Sequence, residues 1–226
     1  LVAIDEVMDA ELDERSVLVL EPLYVIANHR PRSVALEQVP PVLPVWEAYA
    51  GILRTWGYSV WTGMVHSEQF GVPQTRKRAV LIASLDHEVS APSPTHSRFY
   101  SRSPEKLDDG VLPWVSMGQA LPSLIGRGIT AQRSNYSTGG KPGQTAEERG
   151  RTERLLSQPS VALTSKGFRW KTGDGLIRVT PQEAGVLQSF PEDYPWKGNK
   201  GQQFQQIGNA VPPRMAAAIV AALVIP

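Results

Sequence analysis

The chain has 226 residues, of which 41% are hydrophobic and 20% are charged, and its net charge is +1. This balance is typical of a folded protein and excludes a disordered one. No apolar run is long enough to span a bilayer and no signal peptide is visible, so we expect no membrane partner. The absence of cysteine excludes disulfides and thiolate metal sites, and we expect no metal.

Charge is unevenly distributed along the chain. Residues 1–40 hold eight acidic and three basic side chains, whereas residues 126–171 hold nine basic and three acidic ones. A basic block in a segment rich in Gly and Ser suits a polyanion such as DNA. A solvated loop that happens to be basic is the alternative.

The first part of the chain alternates helix and strand. Residues 12–29 are predicted as a helix, which Pro22 either kinks or begins. Its predicted core residues are Leu18, Val19, Tyr24 and Val25. Residues 33–39 are predicted as a short buried strand, residues 46–56 as an amphipathic helix with Gly57 as its C-cap, and residues 58–65 and 79–85 as strands. This alternation indicates an α/β sheet.

Periodicity fades after Leu85. Residues 91–175 are rich in Pro, Ser, Gly and Arg, and residues 91–94 have the composition of a domain boundary. Regular structure is predicted to return near Ile177. Thr180, Pro181 and Glu183 have the spacing of a capping box, so a helix should start there and end before Pro191. A last helix should run from Pro212–Pro213 to about Leu223.

A turn at residues 69–73 leads into Gln74-x-Arg76-x-Arg78, and an apolar strand follows. Two arginines two residues apart on an extended segment point to the same side. Each guanidinium offers a fork of donors that suits a phosphate, a carboxylate or a base edge. At the mouth of a parallel sheet such a pair could hold an anionic or nucleotide substrate. Two ordinary surface arginines are the alternative.

Other segments accompany this run in a fixed order: residues 35–40 (Ala-Leu-Glu-Gln-Val-Pro), 178–183, 187–191 and 206–213 (Gln-Ile-Gly-Asn-Ala-Val-Pro-Pro). The ordered set closely resembles the C-terminal half of a DNA (cytosine-5)-methyltransferase, over roughly residues 12–90 and 157–224. The resemblance implies an α/β fold, part of a Rossmann-like S-adenosylmethionine-dependent methyltransferase sheet with an inserted small, loop-rich target-recognition domain. Residues 1–90 would be the second half of the catalytic domain, 91–175 the DNA-binding domain, and 176–226 the return to the catalytic domain and cofactor pocket.

The resemblance also implies a chemistry. In this family a thiolate adds to C6 of a flipped cytosine, so that C5 can attack a sulfonium methyl. Glu37 resembles the acid that assists at N3, and Arg78 resembles the arginine that stabilises charge at O2. Arg76 resembles the partner that holds the active-site loop or a phosphate, and Gln74 should fix the turn. A Glu that caps a loop and surface arginines are the alternatives. The family usually has Asn where this chain has Gln38.

Two further sets are implied. Asn209, Ala210 and Val211 resemble the motif that helps to form the S-adenosylmethionine pocket, although a turn with an Asn cap would give the same pattern. Arg178, Glu183 and Gln188 match a largely structural motif that braces the target-recognition region. The candidate DNA contacts, most of them to phosphates, are Arg127, Arg133, Lys141, Arg149, Arg151, Arg154, Lys166, Arg169 and Lys171.

The family's Phe-x-Gly-x-Gly cofactor loop and Pro-Cys nucleophile are absent from the sequence. A second polypeptide could supply them, or the sequence could be part of a longer chain. The chain could also be a non-catalytic DNA-binding or regulatory module, or an unrelated nucleic-acid-binding α/β protein. We expect duplex DNA and an N-terminal half as partners, S-adenosylmethionine as cofactor, a cytoplasmic location, and a role in restriction–modification or DNA protection.

Overall fold

The structure, a computed structural model, describes residues 18–133, 153–165 and 167–224. Some predictions concern residues outside this description. They are the helix before Leu18, the polar loop up to residue 152, Lys166 and the side chain of Arg133. The described helices are α1 (Glu21–His29), α2 (Leu43–Thr55), α3 (Met117–Ala120), α4 (Pro181–Leu187), α5 (Lys200–Asn209) and α6 (Pro213–Val224).

The strands are β1 (Ser33–Gln38), β2 (Ser59–His66), β3 (Gln74–Thr75), β4 (Lys77–Ser84), β5 (Thr130–Arg133), β6 (Glu153–Leu155), β7 (Ser160–Val161), β8 (Phe168–Thr172) and β9 (Gly175–Arg178). Short 3-10 turns occupy Leu18–Leu20, Pro40–Val42, Ser67–Phe70 and Pro122–Leu124. The predicted order of helices and strands up to residue 85 is thus confirmed.

The chain packs as two compact units. Of the described residues, the first contains 18–65, 77–93 and 218–224, and the second contains 66–76 and those between 94 and 217. The break near residue 93 lies close to the predicted boundary at 90/91. Residues 176–217 pack with the second unit, because α4 and α5 bury Leu187 and Phe204 in the same cluster as Phe168. The functional labels of the three predicted domains stay predictions.

The first unit contains a three-stranded sheet in the order β1-β4-β2. Strand β4 runs antiparallel to β1, with Ser33 opposite Ser84 and Gln38 opposite Ala79. The expectation that the arginine pair lies at the mouth of a parallel sheet was therefore wrong for this pair of strands.

Helices α1 and α2 cover one face of this sheet. Their buried side chains and those of β4 form one cluster: Leu20, Leu23, Ile26, Trp46, Tyr49, Leu53, Ala79, Leu81 and Ala83. Helix α2 agrees with its prediction, and Gly57 adopts a φ of +90° just beyond its end. Of the core residues predicted for this segment, Val19 is partly buried and packs against the cluster. The prediction was wrong for Leu18, Tyr24 and Val25, which are 66%, 55% and 55% exposed. The helix begins at Glu21 with Pro22 in its first turn, so the buried stripe starts from Leu20.

The second unit is built on a four-stranded antiparallel sheet in the order β6-β5-β8-β9. The sequence did not predict this sheet, because its strands are short and charged residues interrupt them. The capping box before α4 is confirmed: Thr180 Oγ1 accepts from the Glu183 N–H at 3.1 Å, and Glu183 Oε2 accepts from the Thr180 N–H at 2.8 Å.

Segment Lys200–Val224 is long and apolar enough, by length and composition alone, to cross a membrane. It consists of two helices, however, since α5 ends at Asn209 and α6 begins at Pro213. Both helices bury apolar side chains inside the protein, among them Phe204 and Met215. This packing is what we expect of helices in a folded core.

Candidate functional site

Glu37 and Arg78 form an ion pair at one end of the first unit's sheet. Glu37 is near the carboxyl end of β1, and Arg78 is near the start of the antiparallel strand β4, so the two side chains meet on one face. Arg78 Nε lies 2.9 Å from Glu37 Oε1, and both side chains are mostly buried. Glu37 Oε1 makes no hydrogen bond of good geometry to any described group. A carboxyl and a guanidinium thus stand side by side, and Glu37 Oε1 is buried between its neighbours.

Local contacts hold both ends of this pair. Arg78 Nη1 donates to the carbonyl of Lys77 at 2.8 Å. The side-chain oxygen of Gln38 accepts from the Val39 N–H at 2.9 Å. The Gln38 side chain folds back so that its amide oxygen accepts from the main-chain N–H of the next residue. This contact fixes the start of the loop that leaves β1.

Arg76 takes different partners from those of Arg78. It is buried in the second unit, where its Nη1 donates to the carbonyl of Leu163 at 3.2 Å and its Nη2 donates to the carbonyl of Gly208 at 3.0 Å. Two separated segments of the chain are thus tied to one guanidinium. This geometry suits a residue that positions the end of α5, where Asn209 lies.

Two buried amides extend this polar core. Gln74 donates to the carbonyl of Leu187 at 3.3 Å and accepts from the Leu163 N–H at 2.9 Å. Gln188 donates to the carbonyl of Ile207 at 2.6 Å. Each buried hydrogen bond satisfies a backbone group that would otherwise be costly to bury. The Gln74 side chain thus bonds to segments far away in sequence, and its role in fixing the turn stays a prediction.

Gly208 has a steric reason to be glycine. A Cβ atom at this position would lie 2.5 Å from the Ser165 nitrogen and 2.6 Å from the Thr164 carbonyl carbon. Such separations are far below van der Waals contact, so the main chains of the two segments can approach only without a side chain. The segment around Thr164 and Ser165 thus packs directly on the last helical turn of α5, which ends at Asn209.

Asn209, Ala210 and Val211 lie where α5 ends. Asn209 is exposed at the end of α5, and Ala210 is extended, with φ −66° and ψ 144°. An open groove of about 470 Å³ beside Asn209 is lined by Lys197, Gly198, Gln202, Gln205 and Gln206. The side chains that line it are those of one lysine, one asparagine and three glutamines. The cofactor role of the three residues stays a prediction.

Four of the nine predicted DNA contacts have described side chains. Arg127, Arg169 and Lys171 are exposed, whereas Arg154 is half-buried, with its guanidinium 4.4 Å from the centre of the Phe99 ring. Lys171 is paired with Glu153 at 2.7 Å. The hydrogen bond from Lys171 lowers the pKa of the Glu153 carboxyl. Arg133, Lys141, Arg149, Arg151 and Lys166 lie outside the side chains that the structure describes.

The strand register places Arg169, Lys171 and Arg178 on the solvent-facing side of the four-stranded sheet. Arg178 also lies over the Phe204 ring, 4.5 Å from its centre. Within residues 18–133, 153–165 and 167–224, no group of three or more His, Cys, Asp or Glu side chains is placed to hold a metal ion.

Comparison with known proteins decides the family. Residues 8–111 and 117–224 match the profile of the C-5 cytosine-specific DNA methylases. The chain belongs to this C-5 cytosine-specific DNA methylase family. Its fold class, predicted from the sequence as α/β and methyltransferase-like, is thereby confirmed.

Relatives in this DNA methylase family are bacterial type II methyltransferases. M1.HphI of Haemophilus parahaemolyticus is 30% identical over 190 residues, which cover 74% of this chain and 48% of that enzyme. M.BbvI of Brevibacillus brevis is 27% identical over 205 residues, which cover 78% of this chain and 53% of that enzyme. The chain thus spans about half the length of these relatives.

Solved structures of methyltransferases share the fold. The S. pombe Dnmt2 methyltransferase aligns with a TM-score of 0.60 and 16% identity, covering 95% of this chain and 72% of that one. A putative DNA modification methyltransferase encoded within an E. coli prophage aligns with a TM-score of 0.58 and 17% identity, covering 93% of this chain and 74% of that one.

The sequence alone missed one buried acid in this methylase chain. Glu68 is 2% exposed and lies 3.8 Å from His66 Nδ1. Burial raises the pKa of its carboxyl to about 7, against the opposing influence of Arg98. No pattern in the sequence distinguishes Glu68 from a surface residue.

Proposed function

We propose that this chain is a component of a DNA (cytosine-5)-methyltransferase, which transfers a methyl group from S-adenosylmethionine to C5 of cytosine in duplex DNA. The observation that carries the proposal is the Glu37–Arg78 pair, 2.9 Å apart at the carboxyl end of β1. Open α/β sheets bind their ligands at this end of their strands. Family membership and the type II relatives support the reaction class.

The pair matches two neighbouring atoms of a cytosine ring. N3 and O2 are adjacent on the pyrimidine, and both gain negative charge when a nucleophile adds to C6. Glu37, once protonated from solvent, donates a hydrogen bond to N3, and Arg78 donates to O2. Before the base arrives, each side chain neutralises the other, so neither charge is left unpaired in a mostly buried site.

The nucleophile comes from elsewhere. The sequence contains no cysteine, and the addition to C6 needs a thiolate. The remaining half of the enzyme therefore supplies the Pro-Cys segment together with the Phe-x-Gly-x-Gly cofactor loop. It does so either as a separate polypeptide or as another part of the same chain.

Arg76 acts as a positioning residue in this scheme. Its guanidinium is occupied by the carbonyls of Leu163 and Gly208, so it orders the turn that presents Asn209. Asn209 and the extended main chain after it hold the polar end of S-adenosylmethionine, which supplies an electrophilic methyl group when bound. In this proposal the open groove beside Asn209 is completed by the other half of the enzyme.

Duplex DNA binds through the second unit. Exposed Arg127 and Arg169 contact phosphates, which position the protein on the duplex without reading its sequence. The target cytosine is flipped out to reach the catalytic pair. A DNA substrate and type II relatives suit a cytoplasmic role in restriction–modification or in the protection of host or phage DNA.

The test is transfer of labelled methyl from S-adenosylmethionine to duplex DNA. The chain is assayed alone and mixed with the portion of M1.HphI that lies outside the region aligned with it. We expect transfer only in the mixture, and loss of transfer with Glu37→Ala. Duplex binding without transfer in any mixture would instead favour a non-catalytic DNA-binding or regulatory module, an alternative that the absence of cysteine supports.

A further inference from the structure

Ser189 adopts a backbone conformation that disfavours a side chain. Its φ is +66°, in the left-handed region, and it lies just beyond the end of α4. The Phe190 N–H donates to the carbonyl of Gly185 at 2.9 Å, which is the hydrogen bond that closes a helix at a left-handed residue. Glycine is the usual residue at such a position because it has no Cβ. A serine held in this conformation therefore points to a function for its side chain.

The Ser189 hydroxyl caps helix α6. Pro213 begins this helix and Pro212 precedes it, and neither proline has a main-chain N–H to donate. The first N–H of the helix is therefore that of Arg214, and such a group has no partner within its own helix. It donates to Ser189 Oγ at 3.2 Å. A hydroxyl from a distant segment thus takes the place of a local N-cap and fixes where α6 starts.

The Arg214 side chain ties the same helix start to a second segment. Its Nη1 donates to the carbonyl of Gly71 at 2.7 Å. Gly71 is buried, so its carbonyl needs a donor from within the protein. Its φ is +72°, and a Cβ atom there would lie 2.7 Å from Cε1 of His96, so the turn favours glycine. Arg214 thus anchors α6 to a turn of fixed conformation.

Arg76 and Arg214 link the same two segments in opposite directions. Arg76 belongs to the segment that Gly71 begins, and it donates to the carbonyl of Gly208, at one end of loop 209–213. Arg214 stands at the other end of this loop and donates back to Gly71. All of these residues belong to the second unit. Both ends of the loop that contains Asn209 are therefore tied to one turn.

We infer that Ser189 and Arg214 are positioning residues, which hold loop 209–213 in the conformation that binds S-adenosylmethionine. This inference rests on the proposed function, in which Asn209 and the main chain after it hold the cofactor. Ser189 and Arg214 act through the loop and do not themselves contact the cofactor. A loop that is already ordered loses less conformational entropy on binding. The two residues should therefore affect cofactor affinity and leave duplex affinity unchanged.

Variants of Ser189 separate the cap from the backbone strain. Ser189→Gly relieves the left-handed conformation but removes the hydroxyl, so it should weaken cofactor binding about tenfold. Its urea midpoint should change little, because the relieved strain offsets the lost cap. Ser189→Asn keeps an acceptor oxygen on a residue that tolerates this conformation. It should bind the cofactor like the parent chain.

Variants of Arg214 test the second tie. Arg214→Ala should weaken cofactor binding about tenfold, and Arg214→Lys should recover most of the loss because it keeps a donor for the Gly71 carbonyl. Arg102→Ala is the matched control, since Arg102 is also an exposed arginine of the second unit. It should leave cofactor binding unchanged.

Cofactor binding is measured on the chain mixed with the portion of M1.HphI that lies outside the aligned region. Equilibrium dialysis of labelled S-adenosylmethionine gives the affinity, and steady-state methyl transfer gives the kinetic constants. In Ser189→Gly and Arg214→Ala the KM for S-adenosylmethionine should rise about tenfold. The kcat at saturating cofactor and the KM for DNA should stay within about twofold of the parent values.

His96 reports the Arg214 contact in the chain alone. Burial lowers the pKa of its imidazole, and the positive charge of Arg214 lowers that pKa further. Arg214→Ala should therefore raise the His96 pKa in an NMR titration, whereas Arg102→Ala should not. An unchanged His96 pKa in Arg214→Ala would overturn the inference, because Arg214 would then lie away from Gly71 in solution.

The outcomes separate this inference from the proposed function. Unchanged cofactor affinity in both Ser189→Gly and Arg214→Ala, with methyl transfer intact, would overturn the inference and leave the function standing. Weaker cofactor binding by these variants in a mixture that transfers no methyl group would support the inference and count against the function. Equal losses of cofactor and DNA affinity with a lower urea midpoint would show a general structural role and overturn the inference. Failure of the parent mixture to bind S-adenosylmethionine would also overturn it.

Discussion

Arg78 Nε lies 2.9 Å from Glu37 Oε1 because β4 runs antiparallel to β1. Glu37 is near the end of its strand and Arg78 is near the start of its own. In a parallel pair these positions would lie at opposite ends of the sheet. The reversal of β4 is therefore what assembles the candidate catalytic pair.

Substitution of either member of this pair should abolish turnover in the assembled enzyme. Glu37→Gln removes the proton donor, and Arg78→Lys keeps the charge but loses the planar fork. We expect kcat to fall about 10²–10⁴-fold in each case, with duplex affinity little changed. The measurement is single-turnover methyl transfer together with fluorescence anisotropy of labelled DNA.

Arg32→Ala is the matched control for this prediction. Arg32 pairs with Asp86 at the other end of the same two strands and is exposed, so its loss should leave kcat unchanged. A Glu37→Gln variant that turned over like the parent enzyme would refute the assigned role of Glu37.

Arg76 should matter for stability. Replacing it with Met leaves the buried carbonyls of Leu163 and Gly208 without a donor, at an expected cost of about 2–4 kcal/mol in the free energy of unfolding. The measurement is urea denaturation followed by tryptophan fluorescence. Lys77→Met, at an exposed neighbouring position, should cost little. If Arg76→Met unfolded like the parent chain but bound DNA more weakly, Arg76 would be a phosphate contact instead.

Glu68 should make stability depend on pH. Burial raises the pKa of its carboxyl from 4.5 to about 7 in the folded chain, so between these values the folded state binds more protons than the unfolded state. The free energy of unfolding should therefore fall as pH rises from about 4.5 to 7. The loss at pH 8 should be on the order of 3 kcal/mol.

Glu68→Gln isolates this contribution, because glutamine keeps the shape without the titrating proton. The advantage of the variant over the parent chain in urea denaturation should grow between pH 5 and pH 8. An advantage that shrank as pH rose would show that the buried carboxylate is stabilised in the folded state by His66, Arg98 or Arg154, which lie around it.

Basic residues on the second unit should set the salt dependence of DNA binding. Removing Arg127 and Arg169 should weaken binding to all duplexes and reduce the slope of log K against log salt by about 0.9 for each lost phosphate contact. Arg54→Ala, in the first unit, is the control. An unchanged slope in the double variant would exclude these residues as phosphate contacts.

Glu153→Gln gives a complementary prediction. Glu153 Oε1 lies 2.7 Å from Lys171 Nζ. The negative charge of Glu153 therefore offsets the positive charge that Lys171 offers to a DNA phosphate. Its neutralisation should tighten DNA binding and steepen the salt dependence, whereas Lys171→Ala alone should have a small effect. Both affinities are measured by anisotropy titration over a series of KCl concentrations.

The sequence by itself determined features whose causes are local. Side chains only a few residues apart determine three of these features. They are the capping box at Thr180 and Glu183, the glycine that follows α2, and the succession of strands and helices up to residue 85. The ordered motifs also gave the family. The predicted core of α1 was mostly wrong because Leu20, Leu23 and Ile26 form the stripe that packs in the core, and Tyr24 and Val25 lie outside this stripe.

Tertiary structure decided what depends on the path of the chain. The reversal of β4 brought Arg78 to Glu37, and long-range packing gave Arg76 partners 87 and 132 residues away. Burial gave Glu68 its raised pKa. Hydrophobic period and capping act over a few residues, whereas strand direction, burial and distant hydrogen bonds are settled only when the whole chain packs.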